Sequence, residues 1–155
     1  MNIDLSPYKG LIFDMDGTLV DTMPSHLEAW RMTAAHHGFS FDYDWFYQLG
    51  GVPTLKTVEI INHTQGLSLL PADVYMTKRD MFESMDVRIT PIKQTHELLL
   101  EHRSDKKIAI GTGADRYGAD RILAASQLES LLDTLVCADD VENHKPSPDT
   151  FLLAA

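Results

Sequence analysis

Apolar positions along the 155 residues follow two different rhythms. Leu11-Ile12-Phe13, Lys107-Ile108-Ala109-Ile110 and Leu131 to Ala138 are apolar runs closed by carboxylate, glycine or hydroxyl residues. Buried strands of a parallel sheet end in this way. Between the first run and the second, helical spacing takes over. Leu27, Trp30 and Ala34 recur behind Pro24 and ahead of Gly38, which fits a proline in the first turn and a glycine C-cap. Trp45, Phe46 and Leu49 predict a short second helix ending at Gly50-Gly51. Pro53 opens a third, with Leu55, Val58 and Ile60 or Ile61 as its apolar stripe and Gly66 at its end, and Pro71 opens a fourth, with Tyr75, Phe82 and Met85 along one side. Residues 22–88 therefore read as an all-helical domain inserted after the first strand, and residues 1–21 and 89–155 as an α/β core. In the second half, Thr90-Pro91 predicts an N-cap and first helical residue leading through Leu98 to Leu100. Asp115 predicts the cap of a helix carrying Ile122, Leu123 and Leu128, and Thr150 to Ala155 starts one more.

Ligands of open α/β sheets gather at the carboxyl ends of the strands, so an insertion after the first strand is placed to serve as a lid. A formal net charge of -10 disfavours polyanionic partners, both nucleic acid and anionic membrane, and any phosphate site must supply its own local positive field. Cys137 is the single cysteine, which excludes an intrachain disulfide and suits a reducing cytoplasm. The N-terminal residues lack the basic and apolar segments of a signal peptide, and no run reaches the length of a membrane span.

The candidate chemistry lies where the strands end. Asp14 and Asp16 are two apart, so on an extended strand both carboxylates point to one side, with Met15 between them. Such a pair repels itself unless a cation or a shared proton intervenes. Gly17 then permits a sharp turn. Thr112 ends the second strand within Gly-Thr-Gly, and Lys145 follows the third. A nucleophile, a proton carrier and positive charge are what phosphoryl transfer needs. Taken singly, each piece also has a structural reading: a turn former, a tight strand exit, a solvated lysine. His26 and Trp30, four apart on one helix face, are equally open to a substrate role or to an interfacial histidine beside a core tryptophan. The other histidines, His36, His37, His63, His96 and His102, show no transition-metal spacing, and Cys137 reads as a small buried apolar residue.

Asp14-Met15-Asp16-Gly17-Thr18-Leu19-Val20-Asp21-Thr22 directly after an apolar strand resembles the first motif of the haloacid dehalogenase superfamily. With Gly111-Thr112-Gly113 and His144-Lys145-Pro146-Ser147-Pro148-Asp149-Thr150-Phe151, the chain resembles its beta-phosphoglucomutase-like subfamily, nearest to bacterial hexose-phosphate phosphatases of the fructose-1-phosphate and 6-phosphogluconate type. The resemblance implies a Rossmann-like doubly wound parallel sheet with an inserted helical cap. It implies that Asp14 is the nucleophile and forms an aspartyl-phosphate, and that Asp16 is the acid and base. Mg²⁺ would bind Asp14 and the backbone carbonyl of Asp16, and Thr112, the Gly113 N–H and Lys145 would hold the phosphoryl group. The second aspartate favours phosphate chemistry over carbon-halogen cleavage.

His26 matches a histidine that the mutases place near the active site, and Thr54 falls where they carry an arginine for a second phosphate. The resemblance therefore favours a monomeric phosphatase of small phosphorylated sugars. A sugar phosphomutase is the alternative, and an inactive phosphosugar-binding module a further one. The family's fourth motif, whose aspartate completes the Mg²⁺ site, is expected beyond Ala155. Asp139 and Asp140 precede the lysine loop and do not replace it. The resemblance thus implies a fragment, with Leu11 to Phe13 at an open sheet edge.

Overall fold

The computed structural model describes residues 4–85 and 89–155. In chain order its elements are β1 (Gly10–Phe13), β2 (Val20–Asp21), α1 (Met23–His37), α2 (Tyr43–Gln48), α3 (Thr54–Gln65), α4 (Pro71–Ser84), β3 (Thr90–Pro91), α5 (Lys93–His102), β4 (Lys107–Gly111), α6 (Arg116–Ser126), β5 (Thr134–Val136) and α7 (Asp149–Ala154). They divide into two compact units, residues 1–21 with 89–155 and residues 22–88.

The first unit, called the core unit below, is built on a parallel sheet with flanking helices, a Rossmann-like arrangement with strand order β1-β4-β5. The central strand β4 is buried from Ile108 to Gly111, as a strand covered on both faces should be. Phe13 pairs with Ile110, and Gly111 with Val136, which brings the carboxyl ends of all three strands to one edge. Met15, Leu19, Leu99, Ile122 and Leu128 close the core around Ile108 and Ile110. β1 is a sheet edge among the described residues, and Ile12 on it is exposed.

The second, helical unit packs α4 against α1 and α3, with α2 against α1. Its centre is aromatic: Trp30 and Phe46 lie 5.3 Å apart between ring centres, and Phe46 also meets Phe41 and Trp45 at 4.9 Å. Helices α1 and α3 end where the sequence predicts, at Gly38 and Gly66. Both adopt the left-handed backbone, φ 75° and 65°, that an L side chain resists.

Three local expectations are corrected. Thr90 and Pro91 do not cap a helix; they form β3, antiparallel to β2, and α5 starts after Ile92 instead. Proline fits there because it sits on a two-strand ribbon's edge, where its missing N–H leaves no ladder partner unmet. The apolar run from Leu131 to Ala138 yields only the three residues of β5. It is cut at one end because Asp133 spends its carboxylate on the Ile108 N–H (2.9 Å) and Lys107 (2.8 Å). At the other end the Asp140 carboxylate accepts from the Cys137 N–H at 2.7 Å and winds residues 138–140 into a 3-10 turn. On α3, Leu55 faces outward, half exposed, and the buried face is Thr57, Val58 and Ile61.

Candidate active site

The turn after β1 is organised by Met15. Its side chain is fully buried, and its carbonyl accepts from the N–H groups of Thr18, Leu19 and Val20 at 3.2, 2.9 and 3.1 Å. Gly17, at φ 73°, closes the turn by donating to the Val20 carbonyl at 2.8 Å. With Met15 locked inward, Asp14 and Asp16 on either side of it remain partly exposed. The Thr95 hydroxyl, reaching back from α5, donates to the Thr18 carbonyl and ties the turn to the core.

Asp14 is engaged at both oxygens. Lys145 Nζ lies 2.6 Å from Oδ1, and the Thr18 hydroxyl donates to Oδ2 at 3.2 Å. The same ammonium donates to the Gly111 carbonyl at 2.8 Å, so the lysine bridges the ends of β1 and β4. It also lies 4.5 Å from the ring centre of Phe151 on α7. An overall acidic chain thus places one partly buried cation, its side chain 15% exposed, at the sheet's carboxyl edge. The loop bearing Lys145 is fixed to α7 by Asp149, which accepts from Asn143 at 2.8 Å and Ser147 at 2.7 Å. These two bonds, Asn143 first, hold the Asp149 carboxyl below its ordinary range.

Thr112 follows β4 and is buried. Its N–H donates to Val136 O at 2.9 Å, while its hydroxyl oxygen accepts from the Ala114 N–H at 3.1 Å and so keeps its proton to donate. Gly113 beside it is partly exposed. Asp115 then caps α6 by accepting from the Gly118 N–H at 2.7 Å. Asp139 and Asp140 are committed elsewhere: Asp139 accepts from the Arg116 N–H, and Asp140 pairs with the Arg116 guanidinium at 2.6 Å. Burial raises the Cys137 thiol to about 12, which makes it an inert core group.

The remaining residues singled out in the sequence lie in the helical unit. His26 stacks on Phe82, 4.4 Å between ring centres, and Lys78 Nζ lies 3.0 Å from His26 Nδ1. Trp30 is buried in the aromatic core, with the Lys78 ammonium 6.0 Å from its ring centre. Thr54 is the first residue of α3 and partly buried.

The structure brings Asp14, Thr112 and Lys145 to one sheet edge, where Thr18 contacts Asp14 and Phe151 contacts Lys145. Both residues stand inside the two sequence motifs, and only their contacts are not legible there. In the helical unit, Lys78 carries no sequence signal as a partner of His26, since it is 52 residues away. As a metal site, Asp14 and Asp16 offer hard oxygen donors. These fit Mg²⁺, which takes one or two carboxylates and completes its shell with water and substrate phosphate. No cluster of three His, Cys, Asp or Glu able to hold a metal occurs among the described residues. No described helix is long and apolar enough to cross a membrane.

Residues 11–155 match the family model for haloacid dehalogenase-like hydrolases. A fructose-1-phosphate phosphatase of Escherichia coli is 36% identical over 148 residues, covering 96% of this chain and 79% of that protein. A phosphorylated-carbohydrate phosphatase of Thermotoga maritima is 29% identical over 149 residues, covering 94% of this chain and 68% of that protein. Among solved structures, a hydrolase from Pseudomonas syringae superposes with a TM-score of 0.85 at 24% identity, over 96% of this chain and 69% of its own.

Proposed function

We propose that this chain, which belongs to the haloacid dehalogenase-like hydrolases, acts as a Mg²⁺-dependent phosphatase that hydrolyses a small sugar phosphate. The observation that carries the reading is the Lys145 bridge between Asp14 and the Gly111 carbonyl, at 2.6 and 2.8 Å. A carboxylate and a cation held together at a strand end can receive a phosphoryl group between nucleophile and counter-charge.

In this mechanism an oxygen of Asp14 forms a bond to the substrate phosphorus as the bond from phosphorus to the sugar oxygen breaks. Asp16 gives its proton to that oxygen. Asp16 then takes a proton from water, whose oxygen attacks the same phosphorus and releases Asp14 and inorganic phosphate. Thr112 donates its hydroxyl proton to the phosphoryl oxygens, the Gly113 N–H joins it, and Lys145 balances their charge. Thr18 orients the Asp14 carboxylate. Asp14 and the Asp16 carbonyl would hold Mg²⁺, which would supply positive charge to the carboxylates and to the transferring group.

Substrate choice is assigned to the helical unit, to His26 and Thr54, with Trp30 packed in that unit's aromatic core. Thr54 offers no fixed cation for a second phosphate, which favours a phosphatase over a mutase. The cytoplasm is the compartment this chemistry and the single cysteine suit.

The test is phosphate release from a panel of hexose phosphates with and without Mg²⁺, on this chain and on Asp14→Asn. Release that requires both Asp14 and Mg²⁺ is expected. Unchanged release by Asp14→Asn would remove Asp14 as nucleophile. Saturable sugar-phosphate binding without release by either protein would turn the reading to a binding module.

A further inference from the structure

We infer that Phe151 is a positioning residue: its ring face, seated on Gly111, holds the Lys145 ammonium in place against Asp14 and the Gly111 carbonyl. This inference rests on the role proposed for Lys145 only for its kinetic consequence. The geometry stands by itself. The ammonium lies 4.5 Å from the ring centre, within the range where a cation is drawn to the negative face of an aromatic ring. The ring in turn is lodged against the end of β4. A Cβ added at Gly111 would lie 3.1 and 3.3 Å from Phe151 Cδ1 and Cε1, and 3.3 Å from Thr150 Cγ2.

Glycine at this position therefore does two things. It lets the ring approach the backbone, and that approach puts the ring beside the carbonyl to which Lys145 donates at 2.8 Å. A flexible four-carbon side chain is thereby confined by three partners at right distances: a carboxylate, a carbonyl and a ring face. Buried Thr150 anchors the start of α7, while Phe151 itself is 38% exposed. No other aromatic ring among those in described cation contacts faces Lys145.

Two readouts test this on Phe151→Leu and Phe151→Tyr, with Gly111→Ala as a route that displaces the ring without removing it. The first is the ring-current shift of the Lys145 CεH₂ resonances in lysine-labelled protein, assigned through Lys145→Arg. It should vanish in Phe151→Leu, shrink in Gly111→Ala and persist in Phe151→Tyr. The second is steady-state phosphate release. Phe151→Leu should lower kcat roughly three- to tenfold with little change in KM, as loss of a cation–ring contact predicts, and Phe151→Tyr should restore it. A wild-type Lys145 without a ring-current shift, or a folded Phe151→Leu with kcat unchanged, overturns the inference. A wild-type protein inactive on every sugar phosphate would sink the proposed function instead, and the resonance shifts would still decide whether Phe151 positions Lys145.

Discussion

In the helical unit, Trp30, Phe39, Phe41, Trp45 and Phe46 meet ring to ring, and charged side chains pair locally along one helix, as Arg31 does with Glu28 and Lys56 with Glu59. In the core unit the apolar side chains wall off a set of strand ends whose polar groups bind one another across long stretches of chain, Lys145 to Asp14 and Arg116 to Asp140. The helical unit is stabilised by burial that tolerates much change at its surface. In the core unit, the groups that fix the loops are the same groups that would do the chemistry. Stability and activity should therefore separate when residues of the helical unit are changed, and travel together only where a core residue serves both.

The largest test is Phe46→Ala, which removes the ring at the centre of the aromatic cluster. It should destabilise the protein by about 3–5 kcal/mol in denaturant unfolding. A loss under about 1 kcal/mol would mean the cluster is not what holds the unit. Next comes Lys145→Met, which keeps the aliphatic stem. Phosphate release should fall roughly 10²- to 10³-fold, as for removal of one preorganised donor to a developing anion. If the melting temperature collapsed along with activity, the lysine would be a structural tie first. Asp115→Ala should cost about 1 kcal/mol by uncapping α6, measured by denaturation, and Asp115→Asn should recover most of it.

The smallest effect concerns His37, whose Nε2 is 2.9 Å from the Thr77 hydroxyl, joining α1 to α4. Burial, then neighbouring His36, keeps its imidazole below the ordinary value, against a weaker opposite pull from Asp73. The unfolded chain therefore takes up this proton first. Stability should decline as pH falls below about 6.5 and level off once the folded histidine also titrates. His37→Gln should flatten that limb of the stability profile, and an unaltered profile would assign the acid sensitivity to other groups.

What the sequence disclosed follows from range. Helix ends signalled by a single residue, Gly38, Gly66 and Asp115, are read correctly because a left-handed cap or a carboxylate cap is decided within one turn. The buried run of β4 is legible for the same reason. Thr90-Pro91 misleads because its local signal is also compatible with a ribbon edge, and the choice is made by β2, far upstream in the chain. The shortening of β5 depends on Asp133 and Asp140 competing for backbone N–H groups, which no periodicity reports. At the site, Asp14, Asp16, Thr112 and Lys145 stand out as chemistry at strand ends. Thr18 and Phe151 there, and Lys78 in the helical unit, do not, because their importance is a matter of what they touch.

Asp14 and Lys145 are 131 residues apart, and the whole helical unit is threaded between them. During folding, α1 to α4 can find their partners within one continuous segment, whereas the ion pair must wait for closure of a loop that holds most of the chain. Both tryptophans, Trp30 and Trp45, belong to the early segment. Indole emission in a refolding experiment should therefore report the maturing of the helical unit, and closure of the Lys145–Asp14 pair should follow on a separate, slower clock.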